Sequence, residues 1–131
     1  MKTIFKIDIQ NCLRDSALLN LSNDIKRALI EELIKDFLNL NEKILQYIFI
    51  KDKTPYPINK GKEVNQDLFS VSVKVRFIKE GKKSYQEILV YGMDELKTLT
   101  YSRFRIAIDE QILKIDVNTI ISLFIIIKYK Y

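Results

Sequence analysis

The sequence offers few residues of the types that carry out chemistry. Cys12 is the only cysteine, and histidine is absent. Zinc sites are built from paired Cys or His ligands, and a nucleophilic Cys or Ser needs a base that is most often His. Arg14 could lower the pKa of the Cys12 thiol, although a buried or turn cysteine is the simpler interpretation. The sequence therefore predicts neither a metal site nor a cofactor.

Carboxylates occur in adjacent pairs that do not resemble a catalytic acid and base. Neighbouring residues on a strand point to opposite faces, and on a helix they differ by about 100°. Such pairs do not converge on one substrate atom, so solvated charge or turn chemistry explains them. The pairs are Glu31–Glu32, Asp94–Glu95 and Asp109–Glu110. No two glycines are close enough for a phosphate-binding loop, and we expect no enzyme activity.

The chain ends in an unusually apolar segment, TIISLFIIIKYKY. As a strand it would be apolar on both faces, and a strand of this kind needs a cover on each side. A second internal layer from residues 43–50 or 94–99 would provide the cover. Alternatively, the cover is an external partner: another copy, a different protein or an acyl chain. The predicted partner-binding or lipid-binding residues are Ile120, Leu123, Phe124, Ile125, Ile126 and Tyr129.

Basic side chains suggest a nucleic-acid-binding module as the alternative function. Single-strand binders combine cations that follow the phosphates with rings that stack on bases, and Tyr85 and Tyr91 are candidate rings. Glu80 and Glu87 interrupt the patch, and no RNA-binding sheet signature is present, so a solvated face is the simpler interpretation. The possible basic face consists of Lys74, Arg76, Lys82, Lys83, Arg103 and Arg105.

The elements that must position these residues follow from hydrophobic periodicity. Alternation predicts strands over TIFKIDIQ, FSVSVKVRFIKE, SYQEILVYG, RFRIAID, ILKIDV and the terminal segment. Residues 25–38 have a broad apolar arc that predicts a helix, with Ser22 as its N-cap. Gly81 marks a hairpin turn. Residues 53–67 are expected to form a loop, and 94–99 a short helical turn. Residues 43–53 favour a strand, with a helical extension as the competing interpretation.

These elements predict one α+β domain over residues 1–131. One long amphipathic helix would pack in a curved, mostly antiparallel β-sheet, because short connections join consecutive strands. No window is apolar enough over about 18 residues to cross a membrane, and the first residues do not read as a secretory signal. We therefore expect a cytoplasmic protein, or one released without a classical signal. The formal net charge is +5.

The order of these segments resembles that of two protein groups. The segments are TIFKIDI, LLNLSNDIKRALIEEL and FSVSVKVRFIKE with the strands that follow. This layout is similar to the tubular lipid-binding proteins, in which a long helix lies in a curved antiparallel sheet. It also resembles the small clostridial toxin-cluster proteins of the OrfX group. The resemblance implies a non-enzymatic accessory role with a lipid or protein partner, and it identifies no site residues.

Overall fold

The computed structural model of the protein describes residues 1–13, 18, 20–49, 64–92 and 99–131. The described part contains four strands and, beyond one helical turn, three α-helices. In chain order the elements are β1 (Lys2–Asp8), α1 (Gln10–Leu13), α2 (Asn23–Leu40), α3 (Glu42–Ile48), β2 (Leu68–Lys79), β3 (Lys82–Gly92), α4 (Tyr101–Leu113), a 3₁₀ turn (Val117–Thr119) and β4 (Ile120–Tyr129).

The four strands form one sheet in the order β1-β4-β2-β3, and every neighbouring pair is antiparallel. The predicted α+β class and antiparallel sheet are therefore confirmed. The most apolar strand, β4, lies between β1 and β2. This central position agrees with its sequence, because an interior strand has a neighbour along both edges.

The hairpin between β2 and β3 turns at Glu80 and Gly81, as predicted. Both residues have positive φ, 52° and 75°, and two consecutive positive φ values are typical of a type I′ turn. The backbone of Gly81 adopts this conformation without steric cost. The turn joins Lys79 directly to Lys82 across the ladder and so sets the register of the two strands.

Helix α2 begins at the predicted N-cap. The Ser22 hydroxyl accepts a hydrogen bond from the Ile25 amide at 3.4 Å. Ile30, Ile34 and Leu38 follow at intervals of four residues and are buried, so one stripe of the helix faces the core. The helical layer nevertheless contains three helices instead of one long helix. Residues 42–48, for which the sequence favours a strand, form α3.

Two predicted strands are wrong. RFRIAID belongs to helix α4, in which Phe104, Ile108 and Ile112 are buried at intervals of four residues. The segment satisfies a helical period as well as alternation, and the Thr100 hydroxyl caps the helix by accepting from the Arg103 amide at 3.1 Å. ILKIDV contains the end of α4 and the chain that leads into the 3₁₀ turn.

The core lies between one face of the sheet and the helices. Val73 of β2 and Ile125 of β4 are register partners, and both belong to a single cluster of buried residues that includes the buried stripes of α2, α3 and α4. One face of β4 thus has an internal cover, to which α3 contributes. The predicted loop at 53–67, apart from its last four residues, and the predicted turn at 94–99, apart from Leu99, lie outside the described residues.

Candidate functional site

The opposite face of the sheet is the candidate site, and we call it the helix-free face because no described helix packs on it. Strand register defines its members. They are Lys2, Ile4, Lys6 and Asp8 of β1; Ser122, Phe124, Ile126 and Lys128 of β4; Ser70, Ser72, Lys74 and Arg76 of β2; and Lys83, Tyr85, Glu87 and Leu89 of β3.

An apolar row crosses this face at right angles to the strands. Ile4 pairs with Ile126, Ile126 with Ser72, and Ser72 with Leu89. The two outer side chains are about half exposed, 50 % for Ile4 and 49 % for Leu89. Ile126 is only 8 % exposed, because the side chains of the neighbouring strands flank it. It does not belong to the core cluster. The row is therefore an apolar surface outside the core.

Cations and rings occupy the adjacent rows. The Lys74 ammonium lies 4.2 Å from the centroid of the Tyr85 ring, and the Arg76 guanidinium lies 5.9 Å from the same centroid. The Lys6 ammonium lies 6.0 Å from the Phe124 ring. Cation–π attraction at these distances orders the side chains on the sheet surface. Phe124, next to the apolar row, is half-buried.

Two polar groups on this face lack partners. Ser122 is fully buried, and its Oγ makes no hydrogen bond; the Nε of Arg76, its partner in the register, makes none either. An unpaired buried polar group costs about 1–3 kcal/mol. In the described ranges no carboxylate forms an ion pair with Lys6, Lys74 or Arg76. The two buried atoms are out of reach of a ligand, but the cations of the face have unused capacity for charge pairing.

The structure divides the predicted partner-binding residues between two environments. Phe124 and Ile126 lie on the helix-free face. Leu123 and Ile125 lie in the core without any exposed surface, and Ile120 also belongs to the core. Tyr129 lies on the core side of β4, where its hydroxyl donates to the Tyr47 carbonyl oxygen at 2.8 Å. Only the first two side chains are placed to contact a ligand on the helix-free face.

The possible basic face is divided in the same way. Lys74, Arg76 and Lys83 lie on the helix-free face. Lys82 lies at the hairpin and, as the neighbour of Lys83 in the strand, belongs to the opposite face. Arg103 and Arg105 belong to α4 and do not join them. Arg105 donates to the Glu31 carbonyl oxygen at 3.4 Å and pairs with Asp109 at 3.5 Å.

Among the members that sequence reasoning missed are Ile4 and Leu89, which complete the apolar row, and Lys6, whose ammonium lies near the Phe124 ring. Ile4 and Leu89 are the apolar exceptions on the exposed sides of β1 and β3, and Lys6 shares the exposed side of β1 with Ile4. An apolar residue at an outward position of an alternating strand was the available signal. Its meaning depends on the strand order, which brings Ile4 and Leu89 into one row with Ile126.

The Asp109 carboxyl belongs to α4 and does not lie on this face. Burial raises the pKa of the Asp109 carboxyl on α4, Arg105 lowers it by its positive charge, and Glu31 raises it. A pocket of about 390 Å³ lies at the ends of α3 and β4, lined in part by Lys43, Asp67 and Tyr129. The side chain of Cys12 and the pair Asp94–Glu95 lie outside the described residues. Among the described residues no group of acidic or Cys side chains is arranged to hold a metal ion.

No family model matches this sequence, and no curated protein or solved structure matches it significantly. Function must therefore be inferred from the helix-free face itself.

None of the helices in the described part of the chain combines the length and apolarity needed to span a membrane.

Proposed function

We propose that this chain is a non-enzymatic binding protein that acts through its helix-free face, with a protein partner or a lipid as the ligand. One observation carries the proposal: Ile4 and Leu89, the outer members of the row Ile4–Ile126–Leu89, are half exposed on a sheet face that no described helix covers. Phe124 extends this apolar surface beside the row. The accessory role implied by the layout resemblance stays a prediction.

The energetics support a ligand on this face. Full burial of a Leu or Ile side chain is worth about 1.5–3 kcal/mol. Ile4 and Leu89 are about half exposed, so covering the two together contributes roughly 2 kcal/mol. This amount is too small for affinity alone, and a ligand must also use the cations and the Phe124 ring beside the row.

A nucleic acid is the second candidate, because the ammonium of Lys74 and the guanidinium of Arg76 cluster around the Tyr85 ring. Rings beside cations are the elements of a single-strand binding surface. However, the Lys74 ammonium lies over the Tyr85 ring, and a base stacking on that side must displace it. The aliphatic row also has no counterpart in a phosphate backbone, so we rank this candidate second.

A comparison of variants tests the proposal. Phe124→Asp and Ile126→Asp place a carboxylate on the helix-free face, and Leu113→Asp is the control because Leu113 is exposed on α4. Each protein is assayed for self-association by light scattering, for binding to liposomes and to a fluorescent fatty acid, and for retention on heparin at several salt concentrations. Circular dichroism verifies that each variant is folded.

We expect the two face variants to remain folded and to lose at least tenfold in whichever interaction the unsubstituted protein shows. Leu113→Asp should retain it. Equal binding by all the folded proteins would contradict the proposal. Retention on heparin that collapses with modest salt and depends on Lys74 and Arg76 would favour the nucleic-acid candidate, because counterion release is steeply salt-dependent.

A further inference from the structure

We propose that the ligand of the helix-free face is an acidic amphipathic helix of another protein, lying across the strands along the row Ile4–Ile126–Leu89. The inference rests on the proposed function and names its partner. It depends on the charge of the face, on the lack of partners for its cations, and on the direction of the apolar row.

The helix-free face holds most of the excess positive charge of the chain. Its six cations outnumber its two carboxylates, Asp8 and Glu87, by four, and the formal net charge of the whole chain is +5. Two copies that met through this face would bring like charges together, which costs free energy. Charge complementarity therefore favours an acidic partner over a second copy. The cations are Lys2, Lys6, Lys74, Arg76, Lys83 and Lys128.

These cations lack carboxylate partners within the described part of the chain. Glu87 is directly opposite Lys74 in the register, but the Lys74 ammonium lies over the Tyr85 ring instead. The Nε of Arg76 is buried without an acceptor. The buried Nε is out of reach of a ligand, but a carboxylate that approaches from above can accept from the Lys74 ammonium, and bonds of this charge-assisted type are stronger than neutral ones. Acidic side chains on the ligand supply what the face lacks.

The geometry of the row favours a helix. From Ile4 on β1 to Leu89 on β3 the row crosses three strand-to-strand gaps, about 14 Å at about 4.8 Å each. A helix covers this length in about nine residues at 1.5 Å per residue. Its apolar residues recur every 5.4 Å along one stripe, close to the spacing of the strands. A helix laid across the sheet can thus place one side chain over each strand, with apolar partners at Ile4, Ile126 and Leu89 and with Ser72 between the last two.

Cations lie on both sides of the row. On one side Lys2 and Lys128 are register partners, and on the other Lys6 and Lys74 lie on strands adjacent to Phe124. The flanking rows are about 7 Å from the apolar row, since alternate residues of a strand are separated by this distance. An amphipathic helix with carboxylates on both borders of its apolar stripe complements this pattern. A phosphate backbone has no apolar stripe for the central row.

Defined peptides test this inference. The probe is a fluorescein-labelled helical peptide of 14 residues, with Leu along one stripe and Glu on both borders. The controls are a scrambled peptide of identical composition and the same helix with Lys in place of Glu. Anionic vesicles of phosphatidylserine and phosphatidylcholine, and a 20-nucleotide oligothymidylate, are measured in parallel. Binding is followed by fluorescence anisotropy for the peptides and the oligonucleotide and by co-sedimentation for the vesicles.

We expect the acidic amphipathic peptide to bind at least tenfold more tightly than either control peptide. Lys6→Glu and Lys74→Glu should each weaken binding about tenfold, whereas Lys35→Glu, on an exposed position of α2, should leave it unchanged. Tight binding of the vesicles without peptide binding, abolished by Phe124→Asp, would overturn the inference and leave the proposed function intact. Tight binding of the oligonucleotide alone would overturn both and favour the nucleic-acid candidate. If no probe binds and the protein does not self-associate, both are overturned.

Discussion

Tyr129 shows how a single polar group is adapted to the packed layer around it. Its hydroxyl donates to the Tyr47 carbonyl oxygen at 2.8 Å, and the two rings lie 6.1 Å apart. Burial, together with the negative charge that Tyr47 and Asp67 can carry, raises the pKa of Tyr129 to about 12. The fold therefore holds the phenol in its protonated form, which is the form that can donate.

This pKa predicts a loss of stability at high pH. The Tyr129 phenol ionises near its ordinary pKa of about 10 when the chain is unfolded and near 12 when it is folded. Its contribution to the free energy of unfolding is complete below pH 10 and is lost as the pH rises towards 12. Urea unfolding at pH 8, 10 and 11 measures this loss.

Tyr129→Phe separates this effect from the titration of the lysines. The variant should be about 1 kcal/mol less stable at pH 8, because it lacks the hydrogen bond. Its stability should then fall less steeply between pH 10 and 11 than that of the unsubstituted protein. Parallel pH profiles would show that Tyr129 does not titrate differently in the folded and unfolded states.

Helices α2 and α4 are joined by a polar contact between their ends. The Arg27 guanidinium on α2 donates to the carbonyl oxygens of Ile112 at 3.0 Å and Ile115 at 2.8 Å. The Ile112 carbonyl also accepts from the Ile115 amide at 3.1 Å, so the guanidinium adds a charged donor at the C-terminal end of α4, where carbonyls lack partners within the helix. Beside it, the Lys26 ammonium donates to Asn118 Oδ1 at 2.7 Å.

Removal of this contact should destabilise the helical layer. We expect Arg27→Ala to lower the free energy of unfolding by about 2 kcal/mol, because two acceptors lose a charged donor. Lys35→Ala, at an exposed position of the same helix, should change it by less than about 0.5 kcal/mol. Both are measured by urea denaturation. Equal effects of the two substitutions would mean that the contact adds no stability.

Across the whole molecule, the central strand β4 separates two environments. Leu123 faces the helical layer with no exposed surface, and Phe124 faces the other way and is half-buried. Adjacent side chains of a strand point to opposite faces, so one step along the chain leads from the core to the candidate interaction surface. The helical layer covers one side of β4, and on the other side Phe124 stays half-buried.

The two faces should respond differently to truncation. Leu123→Ala leaves a cavity in the core and should cost about 2–5 kcal/mol of stability. Phe124→Ala removes mainly a contact with its cross-strand neighbours and should cost about 1 kcal/mol. Thermal and urea unfolding of the two variants measure the difference. If Phe124→Ala cost as much as Leu123→Ala, the helix-free face would belong to the folding core.

Periodicity predicted the elements wherever one period dominated. The alternation of β2, the i, i+4 stripe of α2 and the positive-φ turn at Gly81 are all confirmed. The prediction from periodicity was wrong at RFRIAID, because the spacing of Phe104 and Ile108 fits both a strand and a helix. The capping bond from Arg103 to Thr100 and the packing of α4 against the core decide between the two.

The sequence by itself determined that β4 is apolar on both sides and that one helix is capped at Ser22, because these properties depend on residues close in the chain. Only the tertiary structure decided which side of β4 is covered. That outcome depends on the strand order, which joins Ile4, Ile126 and Leu89 into one row and separates Arg105 from Lys74. Contacts between distant segments set this order, and no local pattern encodes them.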